Sequence, residues 1–227
     1  MIKRSSRRFF KVLFVLLILV TLLSGFAFAQ TVILNQPPDQ SNAYDSDPNS
    51  PQSIADNFVV SSPARITQVR LWGIYYSGNT APVADNFTVI FHSDSAGLPG
   101  TAVATESNVP VIRQATGGTA ATYTEYEYTL TLATPVNLTP GTYWVEINNA
   151  TTDNTFYWET GTLDPTNGIA GGAQFSGIWG AIPDLAIEIT SEPTSVPTIN
   201  EWGMIIFMML AGAGSLYFIR RQRKSEN

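Results

Sequence analysis

Several short stretches of the chain alternate apolar and polar residues with a period of two, and this feature most constrains the fold. Between residues 125 and 132, tyrosine and leucine at even positions alternate with glutamate and threonine at odd positions. Such alternation is typical of β-strands with one buried face, and no sustained helical period occurs between residues 30 and 190. We therefore predict strands at Thr31–Asn35, Asp56–Val60, Ile66–Tyr76, Asn86–His92, Val109–Gln114, Tyr123–Ala133, Thr142–Asn148, Thr155–Glu159 and Leu185–Ile189.

The segments between these strands contain glycine and proline, which favour tight turns. Asp94–Gly100 has glycine at positions 97 and 100 and proline at 99, and Pro140 is followed by Gly141. About nine or ten short strands joined in this way predict an all-β ectodomain at residues 30–190, an antiparallel, jelly-roll-like β-sandwich. Residues 191–195 are expected to form a short extended linker.

The predicted ectodomain is strongly acidic and contains no cysteine. Between Gln30 and Trp202 there are seventeen acidic residues and three arginines, a formal charge of −14 that the basic ends of the chain reduce to −6 overall. A surface of this sign repels nucleic acid and anionic lipid headgroups, so nucleic-acid binding is excluded. Without cysteine, neither disulfides nor thiol chemistry contributes, and stability must come from the core.

The N-terminal segment has the three parts of a signal peptide. Five Lys and Arg residues lie within the first eleven positions, and the apolar run Val12–Leu23 follows. Ala27 and Ala29 form an Ala-x-Ala cleavage site, so residues 1–29 are expected to be removed and the mature chain to begin at Gln30. The pattern favours Sec export, with the twin-arginine route as the alternative.

The C-terminal region combines a short motif, an apolar run and a basic cluster. The octapeptide Val196–Gly203, Val-Pro-Thr-Ile-Asn-Glu-Trp-Gly, precedes the apolar run Met204–Ile219. Together with Trp202 and Gly203 this run would form a helix about 27 Å long, which just spans a bilayer core of about 30 Å. Four basic residues are expected to stop this transmembrane helix on the cytoplasmic side, namely Arg220, Arg221, Arg223 and Lys224. Hydropathy alone leaves an ordinary C-terminal anchor as an alternative.

The octapeptide closely resembles the Ile-Pro-Thr-Leu-x-x-Trp-Gly signature of the IPTL-CTERM sorting domain, a relative of the PEP-CTERM tails that exosortases process in Gram-negative bacteria. The residues of the motif are Val196, Pro197, Thr198, Ile199, Glu201, Trp202 and Gly203; the first and fourth replace Ile and Leu conservatively, and Glu201 fills a variable position. The resemblance covers residues 196–224, with 225–227 following the basic tail. It implies recognition by an exosortase-like transpeptidase, cleavage near the motif and transfer to the cell surface. The turns of the ectodomain, with Ala55–Phe58 and Gly141–Trp144, resemble those of jelly-roll-like domains placed ahead of such tails.

Catalytic signatures are sparse. His92 is the one histidine, predicted on the outward side of a strand, and neither a Ser/Cys–His triad nor a His-rich metal site is available. The carboxylate pairs Glu125/Glu127 and Glu146/Glu159 have the chemistry that a glycoside hydrolase uses, although acidic residues on strand faces are more often solubilising. We therefore predict that the protein is not an enzyme.

A possible calcium loop lies between the first two predicted strands. Asp45, Asp47, Asn49 and Asp56 fall at an oxygen spacing similar to that of a calcium-binding loop. The sharp-turn glycine of such loops is replaced by Ser50, so a solvated acidic loop is the competing interpretation. No other cofactor is expected.

Strand parity also predicts an aromatic face. Trp144 and Tyr157 should point away from the core, with Trp72 and Tyr76 beside them. Exposed flat rings can stack on sugars or anchor a protein, although loops often cover such rings.

These patterns together predict an exported protein with a structural or adhesive role. It would be held transiently in the inner membrane and then sorted to the cell surface or extracellular matrix of a Gram-negative bacterium. The expected partners are the exosortase-like enzyme and a surface polysaccharide or envelope protein. A carbohydrate-binding module is the alternative function, and a glycoside hydrolase is the third.

Overall fold

The computed structural model describes residues 30–50, 52–76, 80–151, 155–175 and 178–192, and the helical residues 205, 207–209, 211–212 and 214–215. The chain divides into two compact units, Met1–Pro193 and Thr194–Asn227. The boundary lies within the predicted linker. The described part of the first unit is all-β, as predicted, and consists of two antiparallel sheets packed as a β-sandwich.

The strands differ in length from four to sixteen residues. They are β1 (Thr31–Gln36), β2 (Pro38–Asp45), β3 (Ser53–Val60), β4 (Ala64–Tyr75), β5 (Phe87–Asp94), β6 (Pro99–Val109), β7 (Val111–Ala120), β8 (Tyr123–Leu138), β9 (Gly141–Asn149), β10 (Phe156–Gly161), β11 (Gly172–Phe175), β12 (Trp179–Ile182) and β13 (Ile187–Ser191). Sheet A has the order β1-β13-β4-β10-β2, with β8 on the other side of β4 and β7 beyond β8. Sheet B has the order β12-β11-β3-β9-β5-β6.

Strand β4 organises sheet A. Its first half pairs with β13 and its last residues pair with β10, while β8 runs along its other edge. Strand β13 in turn lies between β4 and β1, and Thr31 is opposite Ser191. The described chain of the domain therefore begins and ends at the same end of the sandwich, beside the start of β4.

The core lies between the two sheets and is rich in aromatic side chains. Phe87 from sheet B packs against Tyr128 and Phe156 from sheet A, with ring centroids 5.1 and 5.4 Å apart. Burial of each such side chain contributes about 1.5–3 kcal/mol. These residues occupy the inward positions of the alternating pattern, so the predicted parity of β5, β8 and β10 is confirmed.

All nine predicted strand regions contain strands, but the sequence pattern missed β2, β6, β11 and β12. Strands β2, β6 and β12 lie at sheet edges, and β11 and β12 are only four residues long. Edge strands with mostly exposed side chains lack the apolar alternation on which the prediction depends. Leu185, predicted to begin the last strand, instead forms an isolated bridge with Thr160.

The targeting segments lie largely outside the described residues. This applies to the signal peptide, including Ala27 and Ala29, to the sorting motif 196–203 and to the basic residues 220–224. Within the described residues, no helix reaches the length and apolarity needed to cross a bilayer.

Candidate functional site

The outer face of sheet A, the side away from the core, carries the most unusual group of side chains. Strands β8, β4 and β10 lie side by side, and their core-facing residues alternate with outward-facing ones. Ile74 of β4 lies opposite Tyr157 of β10, and Trp72 lies opposite Glu127 of β8. The outward residues of the three strands and the following turn are Trp72, Ile74, Tyr76, Tyr123, Glu125, Glu127, Tyr157 and Glu159.

Three tyrosines form a cluster at one end of this face. The ring of Tyr76 lies 5.4 Å from that of Tyr123 and 5.3 Å from that of Tyr157, measured between centroids. Tyr76 is 54% exposed, and the other two are partly exposed. We call these three residues the tyrosine cluster. Of the predicted aromatic face, Tyr157 and its neighbour Tyr76 are therefore open to solvent.

The middle of the same face is enclosed. Strands β2 and β7 lie at opposite edges of this half of the sheet, yet they contact one another, so the sheet curls around its outer face. Both strands bulge here, and the bulges place Gln40 (φ 59°) and Gly117 (φ 84°) in the left-handed region of backbone conformation. Trp72 lies within this half of the sheet and is only 9% exposed, so the prediction that it belongs to an exposed face is wrong.

Two glutamates are buried in this enclosed strip. Glu159 has no exposed surface, and neither of its carboxylate oxygens has a hydrogen-bond partner. Glu125 is also buried; it accepts hydrogen bonds from Gln40 Nε2 at 3.0 Å and from Thr116 Oγ1. Burial, together with the nearby carboxyl groups of Glu125 and Asp39, raises the pKa of Glu159 to about 9. Glu159 is therefore protonated at neutral pH.

The structure separates one of the carboxylate pairs proposed from the sequence and gives the two members of the other pair different partners. Glu146 lies on sheet B and Glu159 on sheet A, while Glu127 lies 3.8 Å from Arg70 as part of an ion pair. The structure instead brings Glu125 and Glu159 together across β4. Because both are buried beneath β2 and β7, the closed arrangement gives a polysaccharide chain no access to them.

The outer face of sheet B is covered. Trp144 is 2% exposed and packs on Ala55 and Ala173, with Leu98 and Trp179 against the same group. Its Nε1 donates a hydrogen bond to Asp94 Oδ1 at 2.9 Å. Trp144 does lie outside the main core, as its parity predicts. The prediction that it is exposed is wrong, because the hairpin of β11 and β12 and the turn before β6 cover it.

His92 lies on this face in an ion pair with Glu146. Its Nε2 is 2.9 Å from Glu146 Oε2, and its Nδ1 is 3.1 Å from the carbonyl oxygen of Gly100. Both neighbours are hydrogen-bond acceptors, so the arrangement favours the imidazolium form, with both nitrogens donating. The hydrogen bond to Glu146 raises the pKa of His92, against the lowering effect of burial. Glu146 and the Gly100 carbonyl thus engage both ring nitrogens of His92.

The residues of the predicted calcium loop have other partners. Asp47 accepts hydrogen bonds from the backbone and side chain of Asn49, and Asp45 accepts one from the backbone of Asp47. Asp56 is buried elsewhere and accepts hydrogen bonds from Gln36 Nε2 at 2.8 Å and from the Leu185 backbone at 2.7 Å. Burial raises the pKa of Asp56 to about 7.

The four proposed calcium ligands are thus not gathered around one point, and the prediction that Asp56 completes the loop is wrong. Among the residues that the structure describes, no group of three or more His, Cys, Asp or Glu side chains could hold a metal ion.

Comparison with known proteins adds no relative. No protein-family model matches the chain, and no curated protein is significantly similar to it.

Proposed function

We propose that the chain is an exported surface protein of a Gram-negative bacterium, sorted through its C-terminal signal and serving a structural or adhesive role without catalysis. The observation that carries the proposal is the order of segments after the β-sandwich. The last strand ends at Ser191, and the IPTL-CTERM-like motif, the apolar run and the basic cluster follow within the next residues. This is the order that an exosortase-like transpeptidase would require.

The start of the domain supports the same proposal. Strand β1 begins at Thr31, two residues after the proposed cleavage site at Ala29. Removal of residues 1–29 would therefore leave the sandwich intact. The two-sheet architecture supports the jelly-roll-like ectodomain that we infer. The signal helix before it and the transmembrane helix after it are inferred from the sequence alone.

A non-catalytic role is supported by the state of the ionisable groups. His92 is held between two acceptors, and Glu125 and Glu159 are enclosed. A carbohydrate-binding module remains the second candidate function, favoured by the exposed tyrosine cluster. A glycoside hydrolase is the third and would require β2 and β7 to separate.

The test is to locate the mature protein in the native host and to determine both of its ends by mass spectrometry. We expect Gln30 at the N-terminus, a C-terminus close to Trp202 and a position on the cell surface or in the surrounding matrix. The Trp202→Ala variant should keep its tail and remain in the inner membrane, because the motif is no longer recognised. The matched control is Val196→Ile, which restores the residue of the family signature and should be sorted as the wild type is.

An intact tail on wild-type protein in the inner membrane would show a plain anchor instead. An uncut leader with the protein in the cytosol would overturn export altogether.

A further inference from the structure

We propose that the tyrosine cluster is a binding site for a neutral polysaccharide. The inference rests on the proposed surface role and names the ligand class and the residues that such a role would use. Of the aromatic face predicted from the sequence, Tyr76 and Tyr157 belong to this cluster, Tyr123 joins them, and Trp72 and Trp144 are buried.

The cluster lies at the end of sheet A opposite the two chain ends. Ser191 pairs with Thr31 and lies beside Ile66, near the start of β4, whereas Tyr76 directly follows the last residue of the same strand. Ten residues of extended chain separate Ile66 from Tyr76, a distance of roughly 30 Å at about 3.3 Å per residue. The described chain of the domain therefore ends at one end of sheet A, and the cluster lies at the other.

The three rings hold one another in place. Tyr76 is the middle ring, and the planes of its neighbours are tilted by 38° and 32° relative to it. Tyr157 is further fixed by its position on β10 between β2 and β4. Such a group needs little ordering when a ligand binds, and exposed aromatic rings provide a large apolar contact with polar hydroxyl groups at the edge.

The surrounding charge selects the ligand. Asp45 lies directly opposite Tyr157 on β2, and a carboxylate at that point can accept hydrogen bonds from hydroxyl groups. The three arginines of the domain are engaged with carboxylates: Arg65 with Glu192, Arg70 with Glu127 and Glu188, and Arg113 with Asp85. None of these ion pairs includes a residue of the cluster. An anionic polymer would meet only negative charge there, whereas an uncharged, hydroxyl-rich sugar chain satisfies both the rings and Asp45.

The main alternative ligand is a positively charged partner, because an acidic domain attracts cations over its whole surface. That attraction is screened by salt and does not depend on three particular rings. Stacking of sugar on tyrosine is affected little by salt and requires the rings. The two ligand classes are therefore separable by one binding assay.

The assay uses full-length protein purified in detergent and a panel of cellulose, xylan, mannan and dextran, with alginate as the anionic polymer and polylysine as the cationic one. We expect at least one neutral polysaccharide to retain the protein equally at low and high salt. Tyr76→Ala and Tyr157→Ala should each weaken this binding by about tenfold or more, the effect of losing about 1.4 kcal/mol of contact. Tyr76→Trp should preserve it, since the larger ring keeps the stacking surface.

The matched control is Ile112→Ala, which removes a 62% exposed apolar side chain from the edge strand β7, outside the cluster. It should bind as the wild type does. Retention on polylysine alone, lost in high salt, would overturn the proposal, as would binding to a neutral polymer that neither tyrosine variant weakens. Because binding is measured on purified protein and sorting is measured in cells, either proposal can fail without the other.

Discussion

The outer face of each sheet buries a glutamate, but the two glutamates have different surroundings. On sheet B, Glu146 is paired with His92, and Trp144 is covered by a hairpin and hydrogen-bonded to Asp94. On sheet A, Glu159 lies beside another acid, Glu125, and has no basic partner, and the nearby tyrosine cluster is open. Unpaired buried acids and exposed rings cost stability, and proteins often retain such features where they bind other molecules. The outer face of sheet B therefore stabilises the fold, and the difference supports the binding role that we propose for the outer face of sheet A.

The largest effect is expected from Trp144→Ala on sheet B. It removes a buried indole and its hydrogen bond to Asp94, and large-to-small changes of this kind cost about 3–5 kcal/mol. Chemical denaturation of wild type and variant measures the free energy of unfolding. A loss below about 1 kcal/mol would show that the hairpin over this face contributes little to the stability of the fold. It would then remove the contrast in stability between the outer faces of the two sheets.

An intermediate, pH-dependent effect is expected from Glu159→Gln on sheet A. The folded-state pKa of Glu159, about 9, lies above its ordinary value of 4.5, so the stability that it contributes is greatest below pH 4.5 and is lost as the pH rises through 9. The amide carries no charge and can donate a hydrogen bond to Glu125. The variant should therefore be more stable than wild type at pH 9, by about 1 kcal/mol or more, and the difference should shrink towards pH 5.

Thermal melts across this pH range measure the difference, with Glu146→Gln as the matched control on sheet B. That control should lower stability below pH 6.5, because it removes the partner of the His92 imidazolium. Equal pH profiles for the two variants would contradict the distinction between Glu146, which is paired with His92, and Glu159, which has no basic partner.

The smallest effect on stability is expected from Tyr76→Ala. More than half of this side chain is already exposed, so its removal should change the free energy of unfolding by about 0.5 kcal/mol or less. The same denaturation experiment checks this value. A loss comparable with that of Trp144→Ala would mean that the cluster supports the fold and is not set aside for binding.

The sequence was sufficient for the features that depend on local alternation. The inward residues of β5 and the even positions of β8 were correctly placed, because a strand covered on one side by a core has only one way to bury its apolar residues. The outward direction of Trp144 followed from the same rule.

The burial of Trp144 did not follow from this rule, because the hairpin of β11 and β12 that covers it is short, rich in glycine and distant in the sequence. The meeting of Glu125 and Glu159 was also missed. It depends on β8 and β10 flanking β4 and on β2 contacting β7, and no pattern within a single strand encodes such pairings.

The position of β13 has a consequence for the order in which the domain is completed. Ser191 Oγ donates to the Thr31 carbonyl across 160 positions, and β1 pairs with no strand other than β13 among the described residues. In the export that we propose, β1 would emerge first and would stay unpaired until β13 follows. The sandwich could then close only after its last strand has crossed, before the proposed processing enzyme acts on the sorting motif.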